Sequence, residues 1–260
     1  MGIVNVTPDS FSDGGRLPSA EAAVAFGLRL RDEGADILDV GGESTRPGAA
    51  EVPVDVELTR VIPVIEKLRR EDENLLLSVD TSKPEVAAAA LAAGADLVND
   101  VTAGAAPGML EVVAWAGAGV VLMHMRGTPR TMQRDTHYTD VVAEVHSFLA
   151  ERAAAATAAG VPRQRVLLDP GIGFGKDVEG NLRLLAAAGD LAALGYPIVV
   201  GASRKSFIGA LTGAGVADRL PGSLAALVTV ASERRVIVRV HDVAATVQFL
   251  VTLAALRGAR

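Results

Sequence analysis

The sequence contains no cysteine, so neither a disulfide framework nor a thiolate metal site is available to it. It has no stretch of about 20 consecutive apolar residues, which a membrane-spanning helix requires. The N-terminus lacks the basic segment and the long apolar segment of a signal peptide. From these absences we expect a cytoplasmic protein with no membrane partner.

Long runs of lysine and arginine are also missing, and the formal net charge is −6. A nucleic-acid-binding surface needs clustered positive charge to neutralise phosphates, so we expect no nucleic acid partner. Hydrophobic residues make up 50% of the chain, which is enough for a sizeable core. The composition therefore favours a globular protein whose partners are small molecules, including anions wherever positive charge is gathered locally.

Eight short apolar runs alternate along the chain with segments rich in alanine and leucine. The apolar runs cover residues 2–6, 36–42, 75–80, 96–100, 119–125, 165–171, 197–203 and 236–242. The segments with helical spacing cover residues 19–33, 55–70, 84–93, 108–117, 138–159, 180–194, 218–234 and 242–257. Eight such units in this length give about 32 residues per unit, which is the size of a βα repeat.

The count of eight favours a closed barrel over a doubly wound open sheet. The strand runs are apolar on both faces, as in parallel sheets that are covered by helices. An open sheet would also alternate strands and helices, but no G-x-G-x-x-G motif follows the first strand. We therefore predict the α/β class, with a single-domain (βα)8 TIM barrel over residues 1–260 whose first strand begins almost at the N-terminus.

Polar side chains stand at the C-terminal ends of the predicted strands, where barrel enzymes carry their chemistry. They are Asn5, Asp39, Asp80, Asn99, Asp100, His124, Arg126, Asp169, Ser203, Arg204, Lys205, Ser206, Arg239 and His241. Carboxylates accept hydrogen bonds and asparagine both donates and accepts, which suits a flat heterocycle edged with N–H groups. The cations Arg204, Lys205, Arg239 and His241 are predicted to form an arc that binds a phosphate or diphosphate.

Some of these residues also have a purely structural interpretation. A single aspartate at a strand end is commonly a helix cap or turn residue, which fits Asp39 and Asp100. His124 by itself is compatible with a core histidine. Lys176 is predicted to be a solvated loop residue, because the P-loop pattern around it is incomplete. Polar groups at so many strand ends nevertheless argue for an active site.

Eight longer motifs occur in one fixed order along the chain. They are NVTPDSFSDGG (5–15), DVGGESTRPGA (39–49), SVDTSKPEVA (78–87), LVNDVTAG (97–104), VLMHMRGTPRTMQ (121–133), LLDPGIGFGK (167–176), GASRKSFIG (201–209) and VRVHDV (238–243). Each motif alone means little, but the ordered set is very specific. Together they resemble the bacterial dihydropteroate synthases over essentially the whole chain.

The resemblance implies a reaction of folate biosynthesis. Enzymes of this family condense 6-hydroxymethyl-7,8-dihydropterin diphosphate with 4-aminobenzoate, giving 7,8-dihydropteroate and diphosphate. The resemblance further implies an SN1-like path, Mg²⁺ as cofactor, membership of a family that is the target of sulfonamides, and a homodimer packed through the last helices. Family members usually have a short extension before the first strand, so we expect a less well covered barrel floor in this chain.

The resemblance also assigns roles to individual residues. Catalytic roles are implied for Asp80, Asp169 and Lys205. The pterin is expected to contact Asp80, Asn99, Met123, Asp169, Phe174, Gly201 and Lys205. The diphosphate is expected to contact Asn5, Thr45, Arg46, Arg239 and His241, with Asn5 also the residue associated with Mg²⁺. The 4-aminobenzoate and a closing lid are expected to involve Phe11, Pro47 and Ser206, because a cationic intermediate must be kept from water.

Two alternatives remain open at this point. A methyltransferase of the methyltetrahydrofolate–corrinoid type would share the pterin pocket but has no use for a diphosphate site, so the motifs SRKS (203–206) and RVHD (239–242) argue against it. A catalytically silent pterin-binding paralogue should have lost lid or diphosphate residues, and this sequence keeps them.

Overall fold

The computed structural model describes residues 1–7, 19–46, 48–231, 233 and 235–259. Its strands are β1 (Gly2–Asn5), β2 (Ile37–Gly41), β3 (Leu76–Asp80), β4 (Leu97–Asp100), β5 (Gly119–Met123), β6 (Val166–Asp169), β7 (Ile198–Val200) and β8 (Val236–Val238). Its helices are α1 (Ala20–Asp32), α2 (Val54–Glu71), α3 (Pro84–Ala92), α4 (Met109–Ala116), α5 (Val141–Ala158), α6 (Val178–Ala186), α7 (Ala188–Ala192), α8 (Ser206–Thr212), α9 (Leu220–Ala226) and α10 (Val243–Gly258). Over these ranges, every helix is too short or too polar to cross a membrane.

The eight strands are parallel and follow one another in chain order around a closed sheet. Each strand pairs with the next, from β1 to β8. The sheet closes through a parallel bridge between Gly2 and Val240. Two backbone hydrogen bonds support this closure: Ile3 donates to Val240 at 3.1 Å, and Val240 donates to Met1 at 3.0 Å. The prediction of a (βα)8 barrel is confirmed.

The barrel interior changes from apolar at one end to polar at the other. Side chains alternate between the two faces of a strand, so Ile37 and Asp39 of β2 point the same way, as do Leu97 and Asn99 of β4. The apolar members form a small inner cluster that also contains Met1. The polar members lie one step nearer the C-terminal end, so the carboxylates and amides of several strands meet at one rim.

Two predicted helices differ from the observed ones. The segment 180–194 forms two helices, α6 and α7, because the backbone at Ala187 leaves the helical range at ψ 18°. Over its described residues, the segment 218–234 forms an α-helix only in α9, and the unpredicted helix α8 precedes it. Gly213, in the left-handed conformation at φ +74°, ends α8. The chain thereby turns between β7 and β8 before α9 begins.

Candidate functional site

A pocket opens at the C-terminal ends of the strands. Its lining residues are Thr45, Asp80, Asn99, Val101, Met123, Asp169, Ile172, Phe174, Gly201, Lys205 and Arg239. Parallel strands of a barrel all end at the same rim, which is why residues far apart in the sequence meet there. Nine of the predicted site residues lie in this lining.

Arg239 organises the floor of the pocket. Its Nε donates to Asp39 Oδ2 at 2.6 Å, and its Nη2 donates to Asp80 Oδ2 at 2.7 Å. Asn99 Nδ2 also donates to Asp39 Oδ2, at 3.0 Å. The amide of Asn99 is thereby oriented with its oxygen away from Asp39, and Arg239 is held between two carboxylates. Within the described part of the chain, Arg239 Nη1 has no partner and is available to a ligand.

The interpretation of Asp39 as a cap or turn residue is wrong. Asp39 lies inside β2, in register with Ser78 of β3, and is fully buried. A buried carboxylate requires partners, and Arg239 and Asn99 supply them. Asp100, by contrast, is a turn residue, since it accepts hydrogen bonds from the backbone N–H groups of Thr102 and Gly104.

Burial shifts the ionisation of the pocket groups towards neutrality. It raises the pKa of Asp80 to about 7, although Arg239 acts in the opposite direction. Burial also raises the pKa of Asp169 against the effect of the Gly171 N–H group. Burial, together with the charge of Arg239, lowers the pKa of Lys205 to about 8. Burial therefore disfavours the charged form of each of these three side chains.

The pocket presents hydrogen-bonding groups that other described residues leave unused. The Lys205 ammonium has no hydrogen bond or ion pair there and lies 4.0 Å from the centroid of the Phe174 ring. Asp169 uses one oxygen to accept the Gly171 N–H at 2.7 Å and keeps the other oxygen free. Free acceptors beside one free ammonium, between the apolar side chains of Phe174 and Met123, suit a flat heterocycle that carries both donors and acceptors.

Four other predicted residues lie outside the pocket lining. Asn5 ends β1, and its Oδ1 lies 3.7 Å from the position that a Cβ on Gly41 would take, as does Asp80 Oδ2. Arg46 is exposed, but its positive charge helps to lower the pKa of Lys205. Ser206 is exposed at the start of α8, and His241 is half-buried.

The predicted arc of four cations is smaller in the structure. Arg204, at φ +57°, turns towards Asp242 and forms an ion pair, with its Nε 2.9 Å from Asp242 Oδ2. Burial and the charge of Arg239 lower the pKa of His241 to about 4, so this ring is neutral at pH 7. Within the described residues, the unpaired positive charge at the pocket therefore comes from Arg46 and Lys205, while Arg239 is paired with Asp39 and Asp80 and offers its free Nη1 as a donor.

The prediction that Lys176 is a solvated loop residue is wrong. Lys176 is only 3% exposed, and its ammonium donates to the carbonyl oxygens of Gly171 and Phe174, each at 2.9 Å. It also contacts Nδ1 and the carbonyl oxygen of His124. Three glycines with positive φ in the loop 170–176 turn these carbonyls inwards. Lys176 thus holds the loop that carries Phe174 against the end of β5.

The pH dependence of the free energy of unfolding tests the buried state of His124. The His124 ring is neutral at pH 7, because burial, with the charges of Lys176 and Arg126 adding to it, lowers the pKa of His124 to about 3. Between that value and about 6.5 the unfolded chain binds the proton and the folded chain does not, so this group makes stability fall as pH falls. We expect His124→Asn to reduce the slope of unfolding free energy against pH by up to about 1.4 kcal/mol per pH unit in this range.

Urea unfolding at a series of pH values measures that slope. His137→Asn is the matched control, because the His137 side chain is exposed, and it should leave the slope of the parent unchanged. Parallel slopes for His124→Asn and the parent would contradict the neutral, buried state of His124.

Two predicted site residues lie outside the described part of the chain, and some observed site residues were not predicted. Phe11 and Pro47 fall outside the described residues, so their part in a lid stays a prediction. The sequence argument named Asp39 but gave it a structural role, and it missed Val101 and Ile172 as parts of the site. The two-residue period of β4, continued past Asn99, points to Val101, whereas no local signal marks Ile172.

Comparisons with known proteins agree with this geometry. The pterin binding enzyme family matches residues 1–241. The dihydropteroate synthase of Escherichia coli K12 is 50% identical over 248 residues, which cover 95% of this chain and 88% of that protein. The structure of Xanthomonas albilineans dihydropteroate synthase with 4-aminobenzoic acid is 55% identical, with a TM-score of 0.91 and coverage of 98% of this chain and 92% of that one.

A second structure of the Xanthomonas albilineans enzyme, in complex with 7,8-dihydropteroate, is 53% identical with a TM-score of 0.88. It covers 98% of this chain and 92% of its own. Sequence identity at this level over nearly the full length, together with the matching barrel, shows that this chain is homologous to these proteins. The chain belongs to the pterin-binding enzyme family, within its dihydropteroate synthase branch.

Proposed function

We propose that this chain joins 6-hydroxymethyl-7,8-dihydropterin diphosphate to 4-aminobenzoate, forming 7,8-dihydropteroate and diphosphate for folate biosynthesis. The observation that carries the proposal is the set of unused polar groups in one pocket: acceptors on Asp80, Asn99 and Asp169 and the ammonium of Lys205. The ligands of the Xanthomonas albilineans structures, 4-aminobenzoic acid and 7,8-dihydropteroate, are the second substrate and the product of this reaction.

The pterin ring would lie on the floor of the pocket. Asp169 and Asn99 accept from its N–H groups, and Lys205 donates to its acceptor atoms. Phe174 and Met123 contact the flat faces of the ring, and Gly201 leaves open space beside it, since a Cβ there would meet no atom within 4 Å. These contacts orient the ring so that its methylene carbon points towards the rim.

The reaction then proceeds by loss of diphosphate and capture by the amine. The bond between the methylene carbon and the diphosphate oxygen breaks with both electrons leaving on the oxygen, and the positive charge spreads into the ring. The carboxylates of Asp80 and Asp169 favour that cation, the electrostatic contribution that is usually largest in catalysis. The amine nitrogen of 4-aminobenzoate forms the new bond to carbon and loses its proton to water, so no covalent enzyme intermediate is required.

The leaving diphosphate would meet the positive charges at the rim. Arg46 and the free Nη1 of Arg239 are the available cations there, with Thr45 as a neutral donor. His241 contributes as a neutral ring, hydrogen-bonded to Ser203 Oγ at 3.0 Å. Ser206, exposed at the start of α8, is a contact for the aminobenzoate.

Mg²⁺ fits this site as an ion held mainly by substrate. Among the described residues, no three histidine or acidic side chains come close enough together to hold a metal. Asn5 offers a single oxygen near the space above Gly41, and Mg²⁺ commonly takes one or two protein oxygens and completes its shell with phosphates and water. When bound, Mg²⁺ would neutralise charge on the departing diphosphate, with Asn5 as its protein ligand.

The two alternative functions are less well supported. A corrinoid methyltransferase would leave the rim cation Arg46 and the free Nη1 of Arg239 without a purpose. A silent paralogue would not preserve an unpaired Lys205 beside free carboxylate oxygens, because unpaired buried charge is costly.

Release of diphosphate tests the proposal directly. We expect the chain to release diphosphate from the pterin substrate only when 4-aminobenzoate and Mg²⁺ are both present, with one dihydropteroate formed per diphosphate. A colorimetric diphosphate assay and chromatography of the product give the two quantities. Release that is independent of 4-aminobenzoate, or absent with all components present, would contradict the proposed reaction.

The assembly we propose is a homodimer packed through α9 and α10. Val228, Val251 and Leu256 are large apolar side chains exposed in this region, and such a patch commonly marks an interface. Light scattering should give twice the mass of the chain, and a monomer would contradict this proposal without affecting the chemistry. A cytoplasmic location stays a prediction from the sequence.

A further inference from the structure

A cluster of three charges lies behind the loop that carries Thr45 and Arg46. The Lys83 ammonium forms ion pairs with both Glu43 and Glu57. Glu57 belongs to α2 and is fully buried, and Lys83 is the residue that precedes α3. The cluster therefore joins the loop after β2 to two helices.

Glu43 closes this loop on itself. Its Oε2 meets Lys83, while its Oε1 accepts a hydrogen bond from the backbone N–H of Val52, nine residues later, at 3.0 Å. The two ends of the segment 43–52 are thus brought together at one side chain. We call the contacts of Glu43 with Lys83 and Val52 the loop neck.

The chain entering the neck is held against α2. Arg60 Nη1 donates to the carbonyl oxygen of Gly42 at 2.7 Å. Gly42 approaches the helix so closely that a Cβ there would lie 2.8 Å from Val61 Cγ1 and 3.0 Å from Glu57 Cγ. Only glycine permits this approach, so the neck has a fixed position relative to the barrel.

Beyond the neck, the loop has few contacts of its own. Within its described residues, the backbone N–H of Ala49 donates to the Arg46 carbonyl at 3.0 Å, that of Gly48 to the Pro129 carbonyl at 3.4 Å, and that of Arg46 to Ser44 Oγ at 3.4 Å. Thr45 lines the pocket nevertheless, and the charge of Arg46 acts on both Lys205 and His241. The placement of these two side chains must therefore depend on the neck.

We propose that Glu43, held by Lys83, is a positioning residue that fixes Thr45 and Arg46 for contact with the diphosphate of the substrate. This inference rests on the proposed function of the pocket. An ion cluster suits the task better than an apolar one, because a buried charge group is weak as a source of stability but strict about geometry. The two oxygens of Glu43 meet partners from two different segments, which an apolar side chain could not do.

A double-mutant cycle between Glu43 and Arg46 tests the inference. We expect Glu43→Ala and Arg46→Ala each to lower kcat/KM for the pterin diphosphate by about tenfold to a hundredfold, since small misplacements of binding groups have effects of this size. If Glu43 acts through Arg46, the double variant is no worse than the more damaging single variant. Glu43→Gln keeps an oxygen for the Val52 N–H and should lose less than Glu43→Ala.

Pterin binding separates positioning from general damage to the fold. The ring pocket does not include Glu43, so calorimetry with 6-hydroxymethyl-7,8-dihydropterin, which has no diphosphate, should give the parental affinity for Glu43→Ala. The matched control is Glu66→Ala, which removes an exposed carboxylate of α2 paired with Arg70 and should leave kcat/KM unchanged.

Each way in which the inference can be wrong gives a different experimental result. Fully multiplicative losses in the double variant, or an equal loss of affinity for the pterin without diphosphate, would overturn the positioning role of Glu43. An Arg46→Ala variant with parental kcat/KM would overturn it as well, together with the role of Arg46 at the diphosphate. Failure of the proposed function itself would appear as a parent chain that forms no dihydropteroate.

Discussion

Asp169→Asn is expected to lower turnover by about a hundredfold to a thousandfold while the barrel stays folded, the range found when one preorganised charge-stabilising group is removed. Asp169 accepts the Gly171 N–H with one oxygen and keeps the other for the ligand. Asparagine can keep the first contact, but it removes the negative charge that favours the cationic intermediate. It also places an NH₂ donor where the pterin presents donors. Steady-state kinetics with a thermal unfolding curve give both quantities.

Asp100→Asn is the matched control for this variant. Asp100 is also a buried carboxylate at a strand end, and it binds backbone N–H groups of Thr102 and Gly104 outside the pocket. Its replacement should lower stability and leave turnover close to that of the parent. Near-parental turnover of Asp169→Asn, or an equal loss of turnover in both variants, would contradict the role given to Asp169.

Lys205→Ala tests the contribution of a second side chain of the same pocket. Because the Lys205 ammonium has no partner among the described side chains, its removal leaves no carboxylate newly unpaired. A hydrogen bond from a charged group contributes about 1.5–3 kcal/mol, so we expect a loss in kcat/KM of about tenfold to a hundredfold. Stability should not fall, because the charge that is removed is buried and has no ion-pair partner among the described residues.

Arg239→Met is expected to lower the free energy of unfolding by about 3–5 kcal/mol and to abolish turnover, because removing one partner of a buried ion pair leaves uncompensated charge. Asp39 and Asp80 would both lose their cation. The pKa of Asp80 is already raised, so the folded state holds its proton longer than the unfolded state and stability falls as pH rises from about 4 to about 7. Without Arg239 the pKa of Asp80 should rise further, so the free energy of unfolding should fall more steeply with rising pH in the variant than in the parent.

Urea unfolding at pH values across that window measures the effect. Arg204→Met is the matched control, because its ion pair with Asp242 is partly exposed and should contribute about 1 kcal/mol or less. The double variant Asp39→Asn with Arg239→Met should recover part of the lost stability, since one unpaired charge is removed. Equal destabilisation by Arg204→Met and Arg239→Met would show that Arg239 is not a buried organiser of the pocket floor.

Much of the site could be predicted because a parallel barrel collects strand ends. Once eight parallel strands are recognised, Asp80, Asn99 and Asp169 must lie near one another, whatever the length of the helices that connect their strands. The roles of Lys176 and Asp39 could not be predicted in this way. Their burial depends on partners that lie 52 and 200 residues away in the sequence, namely His124 and Arg239.

The helix boundaries between β6 and β7 and between β7 and β8 could not be predicted from the sequence, for a related reason. Segments of alanine and leucine satisfy helical spacing over long stretches, and which part becomes helical depends on how the chain packs on the barrel. The break at Ala187 and the left-handed turns at Arg204 and Gly213 determine where these helices begin and end.

The sequence by itself determined the barrel, the family and the residues that end each strand, because the two-residue period of strands and the repeat of eight units are local properties. Only the tertiary structure decided which charges are free and which are neutralised. It paired Arg204 with Asp242 and enclosed Lys176 among carbonyl oxygens, and it left Lys205 in the pocket without an ion pair to any described residue. Charge pairing depends on distances between distant segments and on exclusion of water, and both arise only when the chain is folded.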